Sequence, residues 1–112
     1  MNLLELIEEL NEAHIKFEKY FPKYIQYKIE YEQLEASKKF VYSNNLPEDG
    51  PEWKAKKVAE TSEEYETLCY GISNAKEKFM KGYATIEPIK MRIESLRTMI
   101  SALKTEVRNF GG

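Results

Sequence analysis

The sequence predicts an all-α fold: an antiparallel helical hairpin, or coiled-coil-like bundle, with a long second arm. Three observations carry the prediction. Two stretches, residues 2–44 and 51–110, repeat apolar residues at steps of three and four. One cluster of turn-forming residues lies between them. Gly (5) and Pro (4) are scarce in a chain of 112 residues, which argues against a β-rich or disordered chain. The whole of 1–112 is read as a single helical domain, with a turn over 45–50.

The first arm opens on Asn2, followed three residues later by Glu5, which predicts a capping box. Its stripe runs Leu3, Leu6, Leu10, Ala13, Phe17, Tyr20, Tyr24, Tyr27, Tyr31, Leu34, Lys38 and Val41, and only Lys38 departs. Ile7, Phe21 and Tyr42 widen it beyond a strict two-stranded seam. The four Tyr need a partner or water for each hydroxyl, which suits a two-helix layer with wet edges.

The turn is SNNLPEDGP, residues 43–51, built from breaker residues. Pro51 suits the first position of a new helix, with Asp49 or Gly50 as its cap. The second arm then carries the strongest signal. From Val58 the steps fall on Thr61, Tyr65, Leu68, Ile72, Ala75, Phe79, Gly82, Ile86, Ile89, Ile93, Leu96, Ile100, Leu103, Val107 and Phe110. Only Thr61 and Gly82 depart, so one register holds for longer than a coiled coil normally needs. Gly111 and Gly112 make a plausible helix stop.

Pairing the arms about a centre near Pro47 sets Pro22 opposite Ile72–Ser73 and predicts a kink in both arms at that level. The same register faces the acidic start (Glu5, Glu8, Glu9, Glu12) with Lys78, Lys81, Lys90 and Arg92. It also leaves the second arm too long. At about 1.5 Å per residue it reaches ~90 Å against ~65 Å for the first. Residues from 95 onward then lack a partner, although their stripe continues through Leu96, Met99, Ile100, Leu103, Val107 and Phe110. Two versions follow. A bend at Pro88, disfavoured in a helix interior by ~3 kcal/mol, folds the tail back into a bundle. A straight tail makes those six residues an oligomer or partner interface, which Asp at Ile100 and Leu103 should dissolve.

Composition narrows the chemistry. One Cys excludes an internal disulfide, and with one His it excludes a Cys/His zinc site. No apolar run approaches the ~20 residues of a membrane span. The acidic start lacks the basic region of a secretory signal, so a cytoplasmic location is expected. His14 with Glu18 supplies only two metal ligands, and Cys69 has no basic neighbour to activate it. No phosphate loop, GxSxG or catalytic triad is present, so neither catalysis nor a cofactor or metal is expected. Glu60, Glu63, Glu64 and Glu66 form an acidic patch, read first as a solvated face and second as a surface for a basic partner. Lys90, Arg92, Arg97, Lys104 and Arg108 form a basic patch that keeps nucleic-acid binding as an alternative. In KFEKYFPKYIQYKIEY the Tyr fall on the seam and the Lys off it, the pattern of a core with a solvated face.

A hairpin of this length with a Trp beside its turn resembles, in architecture, the WXG100-type secreted proteins. Their turn carries Trp-x-Gly, where this chain has Trp53-Lys54-Ala55. Tyr83-Ala84-Thr85-Ile86-Glu87 has the spacing of their Tyr-xxx-Asp/Glu export signal, here in mid-helix. The resemblance implies a secreted hairpin as one alternative. The preference for Lys over Arg, with many Ile, Asn, Tyr and Glu, is common in small phage and mobile-element proteins, including nuclease inhibitors of the anti-CRISPR kind. The leading expectation is a non-enzymatic protein–protein interaction module, with a protein partner or a homodimer and no membrane partner.

Overall fold

The computed structural model describes residues 1–110, Phe110 by its backbone alone. It contains three helices: α1 (Leu3–Asn44), α2 (Glu52–Glu60) and α3 (Glu63–Phe110). The expected helix stop at Gly111 and Gly112 and the side chain of Phe110 lie outside the described residues. The long helices α1 and α3 pack against each other as a helical hairpin.

The start of α1 follows its sequence. The Glu5 amide donates to Asn2 Oδ1 at 2.9 Å, and Asn2 Nδ2 donates back to Glu5 Oε1 at 3.0 Å. Two groups that a helix start leaves unpaired are thus satisfied reciprocally. α1 runs through Pro22 and α3 runs through Pro88 without interruption. Both rings are exposed, so the carbonyl each proline leaves unpaired one turn back opens to solvent rather than to the core.

The main correction lies at the turn. The second arm is not one helix. α2 ends at Glu60 and α3 begins at Glu63. Thr61 Oγ1 donates to the Lys57 carbonyl at 2.8 Å, and Ser62 Oγ donates to the Ala59 carbonyl at 2.9 Å, closing α2. Ser62 Oγ then accepts the Tyr65 amide at 3.2 Å and caps α3. Glu63, Glu64 and Glu66 occupy the first turn of α3, where the positive end of the helix dipole favours carboxylates. Pro51 is itself the cap of α2 rather than its first residue, and Gly50 before it takes φ +117°, a conformation that favours glycine. Within α2 it is Ala59 that is buried, while Val58 and Thr61 stay exposed.

Because α2 and its flanks take up residues that a simple hairpin would pair, the register differs from the expected one. A centre at Pro47 would set Glu9 against Ile86 and Tyr31 against Glu64. Instead Glu9 pairs with Arg92, and Tyr31 stacks on Phe79 with ring centroids 5.6 Å apart. The C-terminal stripe therefore has a partner in its own chain, with no fold-back at Pro88.

The contacts divide into two compact units. The first takes α1 up to Tyr24 and α3 from Gly82 onward. Its core is Leu6, Ala13, Ile93, Leu96 and Ile100, flanked by the half-buried Leu3, Leu10, Phe17, Ile89 and Leu103. Phe17 stacks on Phe21 at 4.6 Å, and Phe21 rather than the exposed Tyr20 continues the inward stripe. The second unit is Ile25–Lys81, where Val41, Ala59, Ile72 and Ala75 are buried. The Tyr42 and Tyr65 rings meet edge to face at 5.8 Å there.

Candidate interaction surface

The six residues read as an interface have separate fates. Leu96 is fully buried and Ile100 nearly so, both within the core of the first unit. Leu103 is half-buried against that core. Met99 and Val107 are exposed. The straight-tail interface is thus corrected for Leu96, Ile100 and Leu103, because α1 residues Leu3 to Phe17 cover them. Asp at Ile100 would break a core before it broke an interface.

The acidic patch is exposed at the α2–α3 junction. Part of it is structural. Asn45 Nδ2 donates to Glu64 Oε2 at 3.1 Å and to the Val41 carbonyl at 2.8 Å, tying the end of α1 to the start of α3. Among the described residues no three His, Cys, Asp or Glu groups are placed to hold a metal ion.

The basic patch has an order that its sequence spacing conceals. Lys90, Arg97, Lys104 and Arg108 each directly follow a seam residue: Ile89, Leu96, Leu103 and Val107. Residues one step after a seam position share one flank of a helix. On α1 the corresponding residues are Ile7, Asn11, His14 and Glu18. The hollows of the first unit agree with that reading. Phe17, Lys90, Ile93, Glu94 and Arg97 line one of ≈ 240 Å³ together with His14. Residues one step before the seam form the other flank: Glu5, Glu9, Glu12 and Lys16 on α1, and Pro88 and Arg92 on α3. Glu9, Glu12, Lys16 and Arg92 help to line a second hollow of ≈ 240 Å³. The first unit thus has a predominantly basic edge along α3 and a predominantly acidic edge along α1.

The charges on these edges are unequally neutralised. Arg92 pairs with Glu9 across the helices, and Lys90 lies 3.9 Å from Glu87 on its own helix. Arg97, Lys104 and Arg108 are exposed, and no carboxylate of the described residues lies within 4.0 Å of them. Sequence reasoning named all of these cations but did not see that Arg92 belongs to the opposite edge, nor that His14 belongs to theirs.

Elsewhere, Trp53 stands in the first turn of α2 with 70% of its surface exposed, and Phe40 near the end of α1 with 68%. No helix is long and apolar enough to cross a membrane among the described residues. These features define an all-α helical hairpin with charged edges. The chain matches no known protein family, no curated protein and no solved structure.

Proposed function

We propose that this chain is a non-enzymatic protein–protein interaction module that works in the cytoplasm. One observation carries the reading. The seam between α1 and α3 takes up the apolar stripe of α3 from Tyr65 to Leu103, yet many large apolar side chains remain outside it, among them Phe40, Trp53, Tyr70, Met80 and Met91. Aromatic residues and Met are the types that protein interfaces concentrate. An inhibitor that covers the working surface of its target is one form of this function, and self-association into a homodimer is another. Arg97, Lys104 and Arg108, which have no acidic partner among the described residues, favour a second reading, an accessory protein bound to nucleic acid.

Two measurements separate these. Light scattering across a range of concentrations reads the mass. A single-chain mass excludes self-association, and a doubled mass makes the chain its own partner. A photoreactive residue at Trp53 or Met91 should crosslink to protein in the cells that express the chain. Crosslinks to nucleic acid alone, with oligonucleotide affinity that falls steeply with salt, would overturn the reading.

A further inference from the structure

We propose that the basic edge of the first unit is the docking groove for an acidic amphipathic helix, which lies along α1 and α3 as a third helix. The inference rests on the protein-binding reading and names the partner's chemistry. Its argument has three parts.

The first is spacing. Lys90, Arg97 and Lys104 are seven residues apart, two helical turns, or about 10.5 Å along the axis. A helix that carries Glu every seventh residue presents carboxylates at that interval, as the flanking charges of coiled coils do. Glu94 also stands within the basic run, on the same flank. A continuous line of phosphates meets it as a repulsion, whereas a helix can set a neutral residue opposite.

The second is the floor of the groove. The hollow between His14, Phe17, Lys90, Ile93, Glu94 and Arg97 has apolar walls, and its rim carries Lys90 and Arg97 with a single carboxylate, Glu94, between them. Leu10, Phe17 and Leu103 remain half-buried beside the core, so each keeps apolar surface for a further helix to cover. An amphipathic helix laid in a groove supplies an apolar anchor at each hole and charge at the edges.

The third is charge. Arg97, Lys104 and Arg108 lack acidic partners among the described residues, so docking carboxylates does not have to break existing ion pairs. A second copy of this chain is a poorer occupant of the same edge. A two-fold contact places an edge against itself and so sets cation against cation.

The test uses the full chain and a labelled three-heptad peptide with Leu at its a and d positions and Glu at e and g. Fluorescence anisotropy should show binding that weakens with salt. The double variant R97E/K104E should bind the peptide at least about tenfold more weakly. That variant should keep the wild-type circular dichroism melt, because both side chains are exposed and have no acidic partner among the described residues. It should also gain affinity for the matching peptide with Lys in place of Glu. Absence of binding to the Glu peptide overturns the inference. Equal binding by wild type and R97E/K104E overturns the assignment to this edge and leaves the protein-binding reading standing. If a DNA duplex of matched charge displaces the Glu peptide from the wild-type chain, and R97E/K104E loses the duplex, the protein-binding reading itself fails.

Discussion

Gly71 and Gly82 lie on the same helix and answer differently to a side chain. A Cβ at Gly71 meets nothing within 4 Å. Gly71→Ala therefore gains helix propensity at no packing cost and should stabilise by about 0.5–1 kcal/mol, read as a higher urea midpoint. A Cβ at Gly82 lies 3.2 Å from Tyr24 Cδ2 and 3.6 Å from its Cα, so backbone as well as ring stands in the way of anything larger. Gly82→Val should lose about 1–3 kcal/mol in the same titration, and a neutral result would show that Tyr24 yields freely. Two tyrosines make a second local prediction. Burial, reinforced by Glu35, raises the Tyr31 hydroxyl, and burial, reinforced by Cys69, raises that of Tyr65. The folded chain holds these protons more tightly than the unfolded one. Stability is thus fully present below the ordinary value of 10.0 and falls as pH rises above it through the folded values. The Tyr31 hydroxyl donates to Glu35 Oε1 at 3.2 Å, and Tyr31→Phe removes that titration. Its melting temperature should decline less steeply than wild type between about pH 9 and pH 11. An unchanged slope would count against it.

The break between α2 and α3 decided how much of the fold could be read in advance. The stripe from Tyr65 to Leu103 was legible because burial follows its period residue by residue, with Ile72, Ala75, Ile86, Ile93, Leu96 and Ile100 all buried. Val58 and Thr61 extend the same period numerically, which hid the end of α2. The local signal was nevertheless present: Ser62 precedes Glu63 and Glu64, a helix start in its residue types. Missing it shifted the register and made a core stripe look like an interface. The basic edge was legible as a set of residues but not as an edge, because its membership depends on which residues the seam buries. Ser62 should therefore carry weight out of proportion to its size. Ser62→Ala leaves the Tyr65 amide without its side-chain acceptor and should cost about 1 kcal/mol, while Ser62→Asp should retain most of the stability. Equal thermal melts for the two variants would show that the cap does not hold the junction.

The two units differ in how far apart along the chain their partners lie, and this sets an order of folding. In the second unit Asn45 reaches Glu64, 19 residues away. In the first, Arg92 reaches Glu9 across 83 residues. Loop-closure entropy grows with the logarithm of length, so bringing Glu9 to Arg92 first costs ~1 kcal/mol more than closing the turn first. The buried side chains do not offset that in advance, because Leu6 and Leu96 gain nothing until both are in place. Once Lys78 sits over the Tyr27 ring, at 6.0 Å from its centroid, α1 and α3 are already joined within the second unit. The rest of the seam can then close one turn at a time. The transition state should accordingly contain the second unit and little of the first. In stopped-flow experiments, Val41→Ala and Ile72→Val should slow folding and barely change unfolding. Leu6→Ala and Leu96→Ala, each expected to cost about 2–5 kcal/mol, should speed unfolding and leave the folding rate close to wild type. The reverse pattern would mean that the acidic start of α1 finds the end of α3 before the turn forms. In that case long-range charge attraction, rather than loop length, would set the register of the hairpin.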